Sequence, residues 1–341
     1  NWFTNFTDLQ MKKLKLWKVK SMAKSEELWD ITNRPSTKTK LEILEKVFDI
    51  WLTIWNKQDW ISNEWYILDL FAGRGKYFDG GNDVNGSPLI FLKKISDKIE
   101  RLRSDIKIKL FLVEKDRQVF QELNENVRCF FNFNKKTSLE EKIEVKFFQD
   151  DCNNAIENIL SQITKDRKHP LFILIDPTGL QIKKSTIEKI VSLQNPKDIM
   201  FNYILEGVRR TAGIAKKARH RGELSMRETK TVGTLKEFIG KDINVINSSD
   251  IETLKEYCSV FTSKALNVVV YDVRYPDRND ILYYLLFISK ESITNIVKDI
   301  YAKQKEMMSG PTLFGGKEFY IEQRLTITSK RCLQNMFNLL N

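Results

Sequence analysis

The feature that most constrains the fold is a regular alternation of short apolar segments with longer segments of helical periodicity. Apolar runs of strand length occur at residues 66–71, 106–113, 143–148, 171–175 and 199–205. Apolar residues at helical spacing occupy residues 41–55, 88–102, 119–131, 154–163 and 186–193. This alternation predicts a parallel sheet with right-handed crossovers and helices on both of its faces.

Two later apolar segments, 266–273 and 281–289, flank a polar loop and predict an antiparallel hairpin. Five parallel strands that end in such a hairpin form the topology of a class I methyltransferase. We therefore predict an α/β fold with a doubly wound, seven-stranded Rossmann-like sheet, mostly parallel with an antiparallel last strand. A basic helical insertion at 206–240 and an N-terminal helical extension complete the prediction.

The chain of 341 residues is long enough for one large domain with additions or for two domains. We expect the methyltransferase-like domain at residues 37–305. A basic N-terminal arm, 1–36, precedes it, and a C-terminal tail, 306–341, packs on it. The arm carries six lysines between residues 12 and 24, interleaved with leucine, valine and tryptophan.

The sequence YILDLFAGRGKY at 66–77 ends a predicted buried strand on Asp69 and places two glycines directly after it. Glycine lets the backbone approach a ligand closely, and a following helix supplies partly positive N–H groups. Glu114, at the end of the second strand, is the acid expected to bind ribose hydroxyls. It lies further from Gly75 than the usual ~20 residues, so we read residues 76–87 as an inserted loop over the site.

Acidic residues also follow the third and fourth strands, at Asp150-Asp151 and at Asp176. Each of these residues alone could equally be explained as part of an ordinary turn, as an acidic side chain on the surface or as a helix cap. The carboxyl ends of parallel strands meet at one edge of the sheet, so four successive strand-end acids predict a shared site for S-adenosylmethionine. The predicted cofactor-binding residues are Asp69, Phe71, Ala72, Gly73, Arg74, Gly75, Glu114, Lys115, Asp151 and Cys152.

The net charge of +11 favours a polyanionic partner. The alternative is that the charge reflects a lysine-rich composition and serves no specific partner. Positive charge is concentrated at residues 206–233, directly after the fifth strand, so this segment should emerge beside the predicted site. We therefore predict nucleic acid as the partner. The predicted phosphate-binding residues are Lys38, Lys40, Arg209, Arg210, Lys216, Lys217 and Arg219.

No apolar run approaches the length of a membrane span, and the basic N-terminus has no apolar signal region. We therefore predict a cytoplasmic protein with no membrane partner. Four scattered cysteines without a CxxC pair, together with only two histidines, argue against a structural zinc site. We expect free thiols and no metal.

The chain resembles the three-Cys-motif partner (TcmP) family over roughly residues 29–300. The resemblance rests on Thr37-Lys38-Thr39-Lys40-Leu41-Glu42-Ile43-Leu44, residues 69–77, Gly86-Ser87-Pro88-Leu89, Asp151-Cys152-Asn153, Asp176-Pro177-Thr178-Gly179 and Glu237-Phe238-Ile239-Gly240. It implies a class I methyltransferase-like fold from bacteria or their mobile elements. It also implies a possible protein partner with a three-cysteine motif encoded nearby, and it assigns no catalytic residue.

Residues 69–75 are also similar to the first motif of nucleic-acid base methyltransferases, DLFAGxG. Amino-group methylases of that class carry Asp-Pro-Pro-Tyr after the fourth strand. Their aspartate and proline carbonyl region accept hydrogen bonds from the target amine, and their aromatic ring stacks on the base. Asp176 and Pro177 match this motif, whereas Thr178 and Gly179 do not. The resemblance implies a catalytic role for Asp176, Pro177 and Thr178, with stacking by Phe201 or Tyr203 only if the geometry allows.

The preferred hypothesis is a methyltransferase that acts on an RNA or DNA base. One alternative is a non-catalytic cofactor-binding or nucleic-acid-binding subunit of a neighbour-encoded enzyme. Another is a ribose 2′-hydroxyl methyltransferase, in which Lys40 and Asp176 would activate a hydroxyl. The fifth strand, MFNYIL, contains no lysine, and this argues against the hydroxyl alternative.

Overall fold

A computed structural model describes residues 29–32, 34–134, 137–241, 249–274, 280–290 and 321–327. Pro35, Thr137, Arg219, His220 and residues 321–327 are described by their backbone alone. Most of the predicted arm and tail, and the side chain of Arg219, therefore lie outside the described residues.

The secondary structure repeats the strand–helix alternation of the sequence. The strands are β1 (Glu64–Asp69), β2 (Lys76–Asp79), β3 (Asn82–Asn85), β4 (Lys107–Val113), β5 (Ile143–Phe148), β6 (Leu171–Ile175), β7 (Lys197–Tyr203), β8 (Asn267–Arg274), β9 (Ile281–Ser289) and β10 (Ile321–Ile327). The helices are α1 (Pro35–Asn56), α2 (Ser87–Lys98), α3 (Arg117–Phe133), α4 (Thr137–Lys142), α5 (Cys152–Ser161), α6 (Lys184–Val191), α7 (Leu205–Arg221), α8 (Met226–Ile239) and α9 (Asp250–Thr262).

Eight strands form one sheet in the order β10-β8-β9-β7-β6-β1-β4-β5. The five strands from β7 to β5 in that order are parallel. Strand β9 is antiparallel to both β7 and β8. This arrangement confirms the predicted doubly wound seven-stranded sheet with an antiparallel last strand. The sequence analysis did not predict β10, which extends the sheet by pairing antiparallel with β8.

Hydrophobic cores lie on both faces of the sheet, which explains why the central strands are apolar without alternation. Along β1, Ile67 packs into the core beneath α1 and α2, whereas Tyr66 and Leu68 pack into the opposite core. In the first core, the ring of Phe48 lies 4.7 Å from that of Phe91 and 5.2 Å from that of Phe172. The rings thereby join two helices to β6 in the edge-to-face arrangement that aromatic pairs favour.

Two segments that interrupt the alternation have regular structure of their own. The predicted basic helical insertion is confirmed as the helices α7 and α8, which follow β7 directly. The predicted loop at 76–87 is instead the two-stranded hairpin β2–β3, followed by the start of α2. Glycines at 80 and 81, both with positive φ, form its turn, as two-residue hairpins require. The hairpin lies against the segment before α1, since Ile31 N donates to Phe78 O at 2.8 Å.

Helix α1 is joined to the start of β7 by a buried carboxyl group. The indole nitrogens of Trp51 and Trp55 donate to Asp198 Oδ2 at 3.1 and 3.3 Å. Asp198 is only 3% exposed, and burial raises its pKa to about 6. Two tryptophan donors thus give a polar anchor to the mostly apolar contact between this end of the helix and the sheet.

We predict that the Asp198 carboxyl makes stability depend on pH. It ionises near 3.8 in the unfolded chain but keeps its proton up to pH about 6 in the folded protein. Its stabilising contribution is therefore complete below pH 3.8 and is lost as the pH rises through 6, by ~3 kcal/mol. Asp198→Asn keeps an oxygen for the indoles and does not titrate. Urea unfolding from pH 4 to 7 should show the wild type losing about this much free energy of unfolding relative to the variant.

The control for this experiment is Asp59→Asn, which removes a charge from an exposed position. The free-energy difference between the wild type and Asp59→Asn should stay nearly constant over the same pH range. A wild-type curve parallel to that of Asp198→Asn would contradict the assignment of the pH dependence to Asp198.

Candidate functional site

The carboxyl ends of the parallel strands open into a cavity of about 620 Å³. The cavity is lined by the first residues after β1, β4, β5 and β6, by part of β7 and β9, and by α1. The predicted site residues on its wall are Lys40, Phe71, Gly73, Glu114, Lys115, Asp151, Cys152, Asp176, Pro177 and Thr178. The fold therefore brings the strand-end residues together, as the sequence predicts.

The glycine loop after β1 forms a tight turn that also faces the cavity. Gly73 and Gly75 have φ values of +59° and +83°, which side-chain-bearing residues rarely adopt. A Cβ atom on Gly73 would lie 2.7 Å from the Trp29 ring. Glycine is thus required here by the turn and by the close approach of Trp29. Ala72 is buried beside it, and its N–H donates to Val113 O at 2.9 Å, which ties the loop to β4.

Asp69 lies fully buried behind the cavity wall, at the end of β1. Its Oδ1 accepts a hydrogen bond from Phe71 N at 3.3 Å, and the nearby Ser87 side chain acts to lower its pKa. Its Oδ2 has no partner among the described residues. Burial, together with the nearby charges of Asp176 and Glu114, raises the pKa of Asp69 to about 7. Asp69 therefore organises the turn and retains one free acceptor.

Glu114 is held against the glycine loop by backbone hydrogen bonds. Its Oε2 accepts from Gly73 N at 3.1 Å and its Oε1 from Asp116 N at 2.8 Å. Burial raises its pKa. Each carboxylate oxygen has two lone pairs, so the two observed hydrogen bonds leave acceptor capacity on the cavity wall.

Asp151 combines a structural contact with a position on the cavity wall. Its Oδ1 caps α5 by accepting from Asn153 N at 3.0 Å, and its Oδ2 pairs with Lys115 Nζ at 3.0 Å. Burial acts to raise its pKa, but these hydrogen bonds lower the pKa overall. The neighbouring Cys152 is buried, and burial raises its pKa to about 12. Its thiol therefore stays protonated and unreactive at neutral pH.

Asp176 is held by two side chains from other elements. Lys40 Nζ lies 2.7 Å from its Oδ1 and 2.6 Å from its Oδ2. Asn202 Nδ2 donates to its Oδ1 at 2.8 Å. After Pro177, the Thr178 N–H donates to Gln181 Oε1 at 3.0 Å. A lysine from α1 and an amide from β7 therefore fix the orientation of this carboxylate.

Asn202 is a site residue that the sequence analysis missed. It lines the cavity although it lies within a strand that is otherwise apolar. An isolated amide in the sequence MFNYIL was the available signal, because a buried polar side chain needs a partner.

Several predicted site residues point away from the cavity. Arg74 pairs with Glu122 at 3.2 Å and stacks on the Phe78 ring. Lys38 pairs with Asp79 at 2.7 Å, at the turn end of the β2–β3 hairpin. Arg209 donates from Nε to Asp250 Oδ2 at 2.8 Å. These three cations are engaged with protein carboxylates.

Arg210, Lys216 and Lys217 are exposed on α7. No ion-pair partner for them occurs in the part of the chain that the structure describes. They therefore remain available to an external anion, unlike the paired Arg209 on the same helix.

The aromatic residues considered for base stacking are not available. Phe201 and Tyr203 are both fully buried in the core beneath α8 and α9. Their neighbours Met200 and Asn202 face the cavity, because successive side chains of a strand point to opposite faces. The aromatic rings on the cavity wall are those of Trp29, Phe71, Tyr77 and Tyr283.

Within the described ranges, no group of three or more His, Cys, Asp or Glu side chains is arranged to hold a metal ion. None of the helices described here has both the length and the apolar character that crossing a membrane requires.

Comparisons with known proteins give only distant similarities. No family model matches the chain, and no curated protein does. Among solved structures, protein LPL1258 from Legionella pneumophila str. Philadelphia 1 is 12% identical with a TM-score of 0.44, covering 84% of this chain and 97% of that one. A putative rRNA-methylase from Clostridium thermocellum is 10% identical with a TM-score of 0.33, covering 67% and 87%. M. jannaschii TYW2 in complex with AdoMet is 11% identical with a TM-score of 0.30, covering 73% and 74%.

Similarities this distant carry no information on substrate or reaction. Membership of the three-Cys-motif partner family stays a prediction, since no family model matches. The strand order in the structure itself identifies the architecture as a Rossmann-like methyltransferase fold, with β10 added at one edge.

Proposed function

We propose that this chain is an S-adenosylmethionine-dependent methyltransferase that acts on a nucleic-acid base. The observation that carries the proposal is the convergence of three features on one cavity of about 620 Å³. These features are the glycine loop, the backbone-held Glu114, and Asp176 with its two partners. They lie at the carboxyl edge of a sheet whose strand order is that of methyltransferases.

The residues of this cavity suit the methyl donor. Glu114 would accept hydrogen bonds from ribose hydroxyls, and the glycine loop would allow close backbone approach. Glu114, Asp151 and Asp176 place acidic groups on the wall, which favours a ligand that carries sulfonium and ammonium groups. The cavity volume lies within the ~300–1,000 Å³ of small-molecule sites. When bound, the donor supplies an activated methyl group, so the protein contributes mainly alignment and electrostatics.

Asp176 is the proposed catalytic residue. Its carboxylate lies on the cavity wall and is oriented by Lys40 and Asn202. It would accept a hydrogen bond from the methyl acceptor and take up the proton released by transfer. Lys40, which the sequence analysis assigned to phosphate binding, is proposed instead to position Asp176, because its ammonium group is already paired.

The ordered surroundings of Asp176 favour an enzyme over a non-catalytic subunit. A degenerate Asp176 without access to a cavity would have supported the subunit alternative. Instead, its side chain makes three short polar contacts and lines the cavity of about 620 Å³. The short Lys40–Asp176 contact is the observation that speaks for the 2′-hydroxyl alternative, in which both residues would activate a hydroxyl.

The helical hairpin α7–α8 supports a nucleic-acid substrate. It follows β7 directly and so begins at the edge of the sheet where the cavity opens. Its exposed cations without an ion-pair partner among the described residues are Arg210, Lys216, Lys217, Arg227 and Lys230. Exposed cations on a helical hairpin that begins at the cavity edge are suited to the phosphate backbone of a polynucleotide.

Glu114→Ala should weaken donor binding without unfolding the protein. A hydrogen bond to a charged group contributes ~1.5–3 kcal/mol, so the affinity for S-adenosylhomocysteine should fall ~10–100-fold. Titration calorimetry measures this directly. Glu125→Ala, at an exposed position outside the cavity, is the control and should bind normally. No binding by a well-folded wild-type protein would refute the cofactor assignment.

Asp176→Asn should impair transfer and leave donor binding almost unchanged. The variant keeps the size of the side chain and one acceptor but cannot take a proton. We expect the single-turnover rate to fall ~10²-fold, a typical contribution of general base catalysis. The assay supplies labelled donor with total tRNA, rRNA and DNA, and Asp105→Asn serves as an exposed control. Near-normal methylation by Asp176→Asn would leave Asp176 as a turn residue only.

Reversing the charges of Arg210, Lys216 and Lys217 to glutamate should weaken nucleic-acid binding across all sequences. Each lost phosphate contact with duplex DNA reduces the slope of log K against log salt by ~0.9, so the slope should fall by up to ~3. The matched control reverses Lys165, Arg167 and Lys168, which are exposed before β6 at the opposite edge of the sheet. Equal effects of the two triple variants would show that only net charge matters.

A further inference from the structure

The side-chain amide of Asn202 has a fixed orientation. Its Nδ2 donates to Asp176 Oδ1 at 2.8 Å. If the amide were flipped, its oxygen would lie against the Asp176 carboxylate. Both groups are acceptors, so no hydrogen bond would form. The neighbouring carboxylate therefore determines which end of the amide is oxygen.

The Oδ1 atom of Asn202 is a buried acceptor without a partner in the described part of the protein. Asn202 is only 6% exposed, yet it lines the cavity. A buried polar atom that lacks a hydrogen bond costs ~1–3 kcal/mol. An unpaired acceptor in a residue that lines a ligand cavity indicates that a ligand group donates to it.

Asp176 provides a second acceptor beside it. Its Oδ1 accepts hydrogen bonds from Lys40 Nζ and Asn202 Nδ2, whereas its Oδ2 contacts Lys40 Nζ alone. The last paired residues of β6 and β7 are Ile175 and Phe201. Asp176 follows Ile175, and Asn202 follows Phe201. Neighbouring strands lie ~4.8 Å apart, so the two free acceptor sites are neighbours on one wall.

We propose that Asn202 and Asp176 together recognise a primary amine, the exocyclic amino group of a nucleobase, as the methyl acceptor. This inference rests on the proposed function and specifies its substrate class. A primary amine has two N–H donors, one for Asn202 Oδ1 and one for Asp176 Oδ2. A hydroxyl has a single O–H and would leave one acceptor unpaired, which sites of this kind reject strongly.

The reaction at such an amine is balanced without any further reactant. The nitrogen lone pair forms the new N–C bond as the methyl–sulfur bond breaks, and the electron pair of that bond stays on the sulfur. The nitrogen becomes positively charged and then releases one proton to Asp176. Asn202 keeps its hydrogen bond to the remaining N–H throughout, so its role is to hold the amine in line with the methyl group.

The arrangement also explains why Lys40 pairs with Asp176 when the substrate is an amine and not a hydroxyl. Lys40 contacts both oxygens of Asp176 and thereby presents the Oδ2 lone pair to the cavity. Asn202 occupies the position on β7 next to this pair, and an amide there can accept a hydrogen bond but does not take up a proton at neutral pH. The wall is therefore built for hydrogen bonds to an amine.

The test compares ribonucleosides that differ only in the amino group. The pairs are adenosine with purine riboside, cytidine with pyrimidin-2-one riboside, and guanosine with inosine. Their affinities for the wild type and for Asn202→Leu are measured by ligand-observed NMR, with and without S-adenosylhomocysteine. Leucine has a similar shape but no acceptor. We expect at least one amine to bind about tenfold or more tightly than its partner, and the ratio to approach one in the variant.

The identity of the methylated nucleoside gives a second, independent readout. Digestion of the labelled nucleic acid and mass spectrometry should place the methyl group on an exocyclic nitrogen. A ribose methyl group, or a base methylated on carbon, would overturn the inference while leaving the methyltransferase assignment intact. Absence of both donor binding and transfer would instead overturn the proposed function.

The melting temperature of Asn202→Leu and its affinity for S-adenosylhomocysteine show whether this variant is folded. If this variant does not fold, the wild-type comparison of the three nucleoside pairs decides alone. No preference for any amine by the wild-type protein, or a preference that persists in folded Asn202→Leu, would contradict the role of Asn202.

Discussion

Helix α1 is attached to the sheet by two carboxyl groups at opposite edges, and the shape of the site depends on this attachment. Near its start, Lys40 pairs with Asp176 at the end of β6. Near its end, Trp51 and Trp55 donate to Asp198 at the start of β7. The helix therefore spans the sheet from one edge to the other and forms a wall of the cavity. Both attachments are mostly shielded from water, where polar contacts are stronger but more demanding of good geometry.

The fold and the location of the site could be predicted from the sequence because they follow from local patterns. Alternating strand-like and helical segments specify a doubly wound sheet, and a parallel sheet brings its strand ends to one edge. Glu114 and Asp176 were found in this way, since each follows a continuous apolar run. The two positive-φ glycines were equally visible, because glycine has few other reasons to follow a buried strand so closely.

The partners of the side chains could not be predicted, because they depend on residues distant in the chain. Arg74 pairs with Glu122, and Arg209 pairs with Asp250, across separations that no periodicity encodes. Asn202 was not predicted, because a single amide in an apolar strand gives no pattern. Yet the alternation of side chains along a strand already separates Phe201 and Tyr203 from the residues that face the cavity. Burial on both faces hides this alternation in an apolar strand.

The contact between Trp29 and Gly73 connects the segment before α1 to the loop at the heart of the site. The indole lies so close that any side chain at residue 73 would displace it, and it also contacts Tyr77 and the guanidinium of Arg74. Interiors packed to this density transmit a change at one position to its neighbours. A smaller residue in place of Trp29 would remove only the steric part of this constraint, because the positive φ of residue 73 would still favour glycine. The loop therefore keeps its glycine for two independent reasons, whereas the tryptophan depends on that glycine for its position.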